Sequence, residues 1–477
     1  MHIRNVILSA ASALVLAACA AGPGNVATSP RSLATDAGPF LSAEPDVVTP
    51  SPLPSDWWRL YDDLVLDTLV ADALAANTDI RQAVARIELA RASLRGARAD
   101  RLPQVGLNAS GGYARTPEAQ TLPGQDRSGA SFSLGADLAY EVDLFGRVRS
   151  NVSAAQGDIA AAQADADAVR VMVVADTTRA YADAASAAAR LNVARSIVAL
   201  LDDSLRLTRL RHDAGLTDGL TVARIEGLRE QRAASLPAIE AERRAALFAL
   251  ATLTGRSPSQ LPAVSGERSV PLEITTPLPV GDGAALLARR PDVRAAEQRV
   301  LAETARVGVA RADLYPRITL GGSVGSSASS LGNLLSGGPL GLFLGPLVDW
   351  AFPNREPIYA RIDAANARVE ESVAGFDGTV LTALQETETA LSNYARALER
   401  RRLLGDASAA AERAARITRA QNREGVVNSL DLLDAERTLA EARAALADQD
   451  AEVSRNQVAL FRALGGGWSG AATVAVR

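Results

Sequence analysis

"ARADLYPRITLGGSVG" occupies residues 310–325, and "ARADRLPQVGLNASGG" occupies residues 97–112. The two align without a gap, with Pro103 on Pro316. Each begins with residues that suit a helix and ends in an alternation of glycine, small polar and branched residues that suits a strand. Proline cannot continue a helix and biases the preceding residue toward extended backbone. Each stretch therefore marks a switch from helix to strand, and the chain makes that switch twice.

Working outward from the first junction, "DWWRLYDD" opens an ordered part, and Asn77-Thr78-Asp79 breaks it. Helical periodicity then runs to about Arg101. Residues 103–114 and 131–143 read as strands. In the second, Phe132, Leu134, Ala136, Leu138, Tyr140 and Val142 alternate with small or polar neighbours, a period of two. The polar segment between the strands closes a hairpin over 103–144. From Arg149 to His212 there is no proline and little glycine; at 1.5 Å per residue that helix is about 95 Å long. A break at 213–220 precedes a second helix to Leu253.

The plan repeats around the second junction: helix to about Leu314, strand 317–325, a small-residue loop, and strand 340–350 with Leu340, Leu342, Leu344, Val348 and Trp350 on one face. This second hairpin covers 316–351. A helix from Pro357 to Arg423 is interrupted at 424–430, and the last helix ends at "LGGGW". Tyr181 and Tyr394 stand at the same spacing as the two prolines. The expected domains are a signal peptide at 1–18, a tether at 19–56, a first repeat at 57–264, a linker at 265–281, a second repeat at 282–466 and a tail at 467–477. Self-similarity on this scale dictates the fold.

Apolar residues make up 48% of the chain but aromatics only 4%, and every basic residue is arginine. Alanine- and leucine-rich helices of this length must pack along one another as coiled coils. A net charge of −5 with both signs interspersed argues against nucleic acid as a partner. The N-terminal stretch to Ala18 reads as a secretory signal, too short to span a membrane. It ends in "LAAC", and Cys19 is the single cysteine. This resembles the bacterial lipobox, which implies a covalent lipid on Cys19 and, with Ala20 and Ala21 behind it, the outer membrane. No later apolar run reads as a transmembrane helix, so a membrane-spanning part must be a β-barrel. Four strands per chain would leave two unpaired edges in lipid. Two copies give eight strands, a barrel filled by its own side chains; three give twelve, wide enough for a water-filled bore.

The stretches "DWWRLYDDLVLDTLVADALAANTDIRQAVARIELARA", "YEVDLFGRVR", "RRPDVRAAEQRV", "GVARADLYPRITLGGSVG" and "SLDLLDAER" resemble the TolC-like outer-membrane efflux factors, in particular the lipoprotein branch serving resistance-nodulation-division pumps. The resemblance covers nearly the whole mature chain. It implies a mainly α fold with a membrane β-barrel part: a tandem-duplicated long-helix tunnel and four strands per chain, with a homotrimer closing a twelve-stranded barrel. It implies outer-membrane lipid, a periplasmic adaptor protein and an inner-membrane pump as partners, and a passive conduit for small molecules. Protein secretion or metal efflux remains an alternative, as does, more remotely, a structural coiled-coil lipoprotein. One departure is "WAFPNR" at 350–355, where the first repeat has "LFGR".

Catalytic equipment is missing: no nucleophile elbow, phosphate loop or metal-ligand spacing is present, so neither an enzyme, a metal nor a cofactor is expected. Asp165 and Asp167 face different sides of a helix and read as solvated charges. The helix breaks lie farthest from the strands, and the resemblance implies that Gly215, Leu216, Gly425 and Val426 dock the adaptor; as turn residues they need no such role. The same resemblance implies a periplasmic gate, for which Asp431, Asp434 and Arg423 are the candidates. A trimer would repeat the two carboxylates around its axis, where arginines such as Arg416, Arg419 or Arg423 could hold them shut; aspartates also simply favour helix N-termini. Asp137, Glu141 and Asp143 oppose the apolar strand face and are expected to line the lumen. Trp350 is a candidate for the interfacial aromatic belt.

Overall fold

The computed structural model describes residues 38–117, 120, 126–334 and 340–467. Cys19, the signal sequence and the first half of the tether lie outside the described residues. The α-helices longer than four residues are α1 Leu64–Ala76, α2 Thr78–Ala99, α3 Arg147–Asp213, α4 Gly219–Ala233, α5 Ser235–Leu253, α6 Gly283–Arg289, α7 Pro291–Ala312, α8 Glu356–Arg423 and α9 Ser429–Ala463. The strands are β1 Val48–Thr49, β2 Gln104–Arg115, β3 Ser128–Glu141, β4 Leu278–Pro279, β5 Arg317–Ala328 and β6 Leu340–Asp349. The chain divides into two compact units, one drawn from residues 86–163 and 295–376, the other from 38–85, 164–294 and 377–467. Helices α2, α3, α7 and α8 contribute to both.

The first unit holds a four-stranded sheet in the order β2-β3-β5-β6. Every neighbouring pair is antiparallel. The register sets Leu107 across from Ala136, Ala136 from Val324 and Val324 from Leu342. Because side chains alternate faces, this pairing gathers most apolar residues of the four strands on one face, with Phe343 and Leu347 of β6 on the other beside Ser323 and Thr319. The first hairpin joins the second through β3 and β5, while β2 and β6 remain as edges. Beside the sheet, Leu94 and Ala97 of α2 pack on Val152 and Ala155 of α3. A Cβ on Gly157 would come within 2.9 Å of the Ala302 Cβ, so α3 and α7 approach more closely there than any larger residue allows.

In the second unit, Trp57 stacks on Phe461 with ring centroids 4.5 Å apart. Around that pair Leu66, Leu69, Val174, Tyr181, Leu250, Leu286, Leu391 and Tyr394 are buried. Each such leucine contributes about 1.5–3 kcal/mol by leaving water. Asp63 caps α1, accepting hydrogen bonds from the Val65 and Leu66 amides, and also pairs with Arg268. The Tyr181 hydroxyl donates to the same carboxylate at 3.1 Å, and burial, first, then the Asp63 charge, pushes that hydroxyl's pKa up.

Four expectations need adjusting. Residues 38–56, expected as tether, instead bury Phe40, Val48 and Leu53, and β1 pairs in parallel with β4. The same strand pair and buried Leu272, Ile274, Leu278 and Val280 order the expected linker. In both segments a few spaced apolar residues among prolines suffice for docking. The helix expected up to Leu253 breaks at Ala234 into α4 and α5. Pro237 lacks the N–H that a continuous helix would bond to Ala233. Finally, one stretch of α3 is long and apolar enough by composition to cross a membrane, but half of it is buried within the chain.

Candidate functional site

On the sheet, Asp137 and Glu141 lie on the face opposite the apolar one. Asn108 donates its side-chain amide to Asp137, and the Ser110 and Ser133 hydroxyls meet at 2.8 Å. Arg147 donates twice to Glu141, at 2.7 and 2.6 Å. Those hydrogen bonds are the main reason the Arg147 pKa lies above the ordinary arginine value. Asp143 is placed differently from the lumen expectation. β3 ends at Glu141, and the Asp143 carboxylate accepts the Val148 and Arg149 amides at 3.0 and 2.9 Å, capping α3. The period-two pattern ran two residues past the strand because a helix cap and a strand's polar face favour the same residue type.

The two helix breaks are near-copies. At the end of α3 the Leu216 amide reaches back to the Arg211 carbonyl, and the Gly215 amide reaches the His212 carbonyl. At the end of α8 the Val426 amide reaches Gln421, and the Gly425 amide reaches Asn422. Both are Schellman closures, which require left-handed backbone at the glycine; φ is 73° at Gly215 and 74° at Gly425. The residues after the glycines, Leu216 and Val426, are 76% and 71% exposed apolar side chains. Asp218 then caps α4 and Asn428 caps α9. Hydrogen bonds from Thr221 hold the Asp218 carboxyl below the ordinary aspartate value. The same interval separates Gly215 from Gly425 and Gly255 from Gly465; it is three residues shorter than that between the junction prolines.

Within one copy, and among the described residues, Asp431 and Asp434 make no ion pair with Arg416, Arg419 or Arg423. Asp434 pairs with Arg437 of its own helix at 2.7 Å, and both Asp431 and Asp434 are exposed. Arg419 instead grips Glu436, 1% exposed, through Nε and Nη2 at 2.5 and 2.8 Å. Those hydrogen bonds are the main reason the Arg419 pKa lies above the ordinary arginine value. Arg211 donates to the Asn422 side chain at 2.7 Å and to its carbonyl at 2.9 Å, tying the two turns together. Sequence reasoning passed over Glu436, although a carboxylate between Leu432, Leu439 and Ala440 on one helical stripe signals a paired charge.

Asp165 and Asp167 are half-buried rather than solvated. Asp167 pairs with Arg170 at 2.6 Å, and burial raises its pKa. A groove of about 560 Å³ between α3, α8 and α9 is lined by Asp176, Arg179, Glu386, Asn393, Arg455 and Arg462. Among the described residues no group of three or more His, Cys, Asp or Glu side chains could hold a metal ion.

The outer membrane efflux protein family model matches the chain twice, over residues 69–256 and 284–466. Outer membrane protein OprJ of Pseudomonas aeruginosa is 33% identical over 87% of this chain and 86% of its own. The toluene efflux pump outer membrane protein TtgF of Pseudomonas putida is 31% identical over 87% and 85%. The solved outer-membrane channel OprN superposes with a TM-score of 0.84 at 36% identity, covering 91% of this chain and 97% of the other.

Proposed function

The chain belongs to the outer membrane efflux protein family, and from that premise we propose that three copies form the outer-membrane conduit of a tripartite pump exporting small, largely apolar compounds. One observation carries the proposal. Two hairpins form a single antiparallel sheet with one continuous apolar face and, among the described residues, two edges left without partners. Lipid satisfies the apolar face, but each edge needs another backbone. β2 and β6 run antiparallel to each other in the strand alternation, so a β6 edge accepts the β2 edge of the next copy without a change of pattern. Three copies leave a bore that Asp137 and Glu141 line; Asp143 serves α3 instead.

The exposed Leu216 and Val426, each beside its helix-reversing glycine, suit docking to an apolar hairpin of a periplasmic adaptor, which in turn meets the inner-membrane pump. The small-molecule cargo follows the toluene efflux relative. The "LAAC" sequence supports a lipid anchor on Cys19. Asp431 and Asp434, exposed one turn apart, support a ring of six carboxylates in the trimer, with Arg423 nearby in sequence and Arg419 already committed to Glu436.

The test is reconstitution of the full-length protein in planar lipid. Discrete cation-selective conductance and a trimer mass in detergent are expected. A monomer without pores would end the proposal. Asp431→Ala with Asp434→Ala is expected to weaken block by divalent cations; unchanged block removes the gate assignment and leaves the channel standing.

A further inference from the structure

The departure "WAFPNR" changes the chemistry at the end of the second hairpin. At the end of the first hairpin, Phe145 stacks on Tyr315 of the second repeat with centroids 4.6 Å apart, and Arg147 is neutralised by Glu141. In the second, Trp350 and Phe352 stack at 5.1 Å and stay 45% and 66% exposed. The Arg355 guanidinium lies over both rings, 5.1 Å from the Trp350 centroid and 5.7 Å from that of Phe352. Its Nε is shielded from solvent and makes no hydrogen bond. Among the described residues no carboxylate lies within ion-pair reach of Arg355. Counting back from the aspartate that ends each hairpin, Asp143 or Asp349, the position of Glu141 is taken by Leu347. The second repeat has thus lost the acid that quenches its arginine, and has gained exposed aromatic area beside it.

The patch is continuous with the apolar sheet face. Leu340, Leu342, Leu344 and Val348 of β6 are all exposed, and Trp350 follows in the same alternation. Trp350 Nε1 donates to the Leu314 carbonyl at 3.2 Å, which fixes the ring at the end of the strand. A surface that begins as lipid-facing leucines and ends in a Trp–Phe stack under an unneutralised guanidinium matches the order of a leaflet: acyl chain, interface, phosphate. Arginine suits the phosphate because its fork of donors matches two oxygens at once.

Resting on the membrane-channel function above, we propose that Trp350, Phe352 and Arg355 form a binding site for an anionic phospholipid of the periplasm-facing leaflet, with its phosphate on Arg355 and its upper chain on the aromatic stack. The first repeat carries no such site, so each copy holds one.

The experiment uses the full-length channel in vesicles, with Trp350→Phe as the blank whose subtraction isolates the Trp350 fluorescence. Brominated phosphatidylglycerol, at about a tenth of the lipid, is expected to quench Trp350 as though enriched about fivefold over brominated phosphatidylcholine at the same fraction. Arg355→Ala abolishes that preference, and Arg355→Lys, which keeps charge and folding, retains part of it. Equal quenching by the two lipids, or an unaltered preference in Arg355→Ala, overturns the site. Absence of quenching by either lipid means that a second copy covers Trp350, and overturns it too. So does an Arg355-dependent response to inorganic phosphate in detergent without lipid, which assigns the site to a soluble anion. Conductance measured on the same vesicles separates the two levels: pores without lipid preference reject the site alone, whereas lack of pores rejects the channel.

Discussion

The Asn77 side-chain amide donates to the Leu253 carbonyl at 3.0 Å, and Arg290 Nη1 donates to the Ala463 carbonyl at 3.1 Å. Each residue sits between two successive helices of its repeat and secures the end of that repeat's last helix. The second repeat does the task with a charge, and it surrounds that charge with Asp292 and Glu386 at 2.6 and 2.8 Å. Asn77→Ala removes a buried hydrogen bond and a cap, an expected cost of about 1–2 kcal/mol. Arg290→Ala removes the largely buried guanidinium and its hydrogen bonds to the Ala463 carbonyl, Asp292 and Glu386, and is expected to cost about 2–3 kcal/mol, the two carboxylates remaining hydrated. Thermal midpoints of the detergent-solubilised protein should fall in that order; a larger fall for Asn77→Ala would contradict the assignment. The caps at the turns give a second contrast. Asp218 has a folded pKa below the ordinary value of 3.8. Its capping is therefore fully present above that value and lost as pH falls through the lower, folded one. Amide exchange at Thr221 should accelerate in strong acid while Leu430 and Asp431, capped by the non-titrating Asn428, stay protected. Asp218→Asn should erase the difference between the turns.

Among the elements, the sheet is where a sequence pattern becomes a solvent preference. Leu344 and Ser133 lie on opposite faces by the observed register. An arginine at Leu344 would meet hydrocarbon, at an expected cost of about 2–4 kcal/mol near mid-bilayer. Ser133→Arg would meet water in the bore. The first should reduce membrane insertion in a folding assay, and the second should insert normally while changing conductance. Equal insertion would mean that the faces are assigned the wrong way round. Strand positions were legible beforehand to within a few residues because period two is visible locally. The break between α4 and α5 was less so, since Pro237 near a helix start is tolerated and only its carbonyl partner decides.

For the whole molecule, closure depends on copies that one chain does not supply. Pairing Asn108→Cys on β2 with Gly341→Cys, Phe343→Cys or Gly345→Cys on β6 should give disulfides between chains in at least one combination, since opposed strand residues lie about 4.5–5.5 Å apart. The expected product on a non-reducing gel is a ladder ending at three chains, simplified by Cys19 being the only native cysteine. Crosslinking that stops at two chains, or occurs within one, would refute the ring.

The duplication, the four strands, the two long helices and their glycine-ended turns were all written in local pattern: prolines, period-two alternation and helix-stop signals act over a few residues and can be read one after another. Charge partnership was not. Whether Arg419 meets Asp431, Asp434 or Glu436, whether Asp143 lines a bore or caps a helix, and whether residues 38–56 hang free or dock on the core depend on which surfaces the folded chain brings within a few ångströms. Distances of that kind between residues remote in sequence belong to the tertiary structure alone.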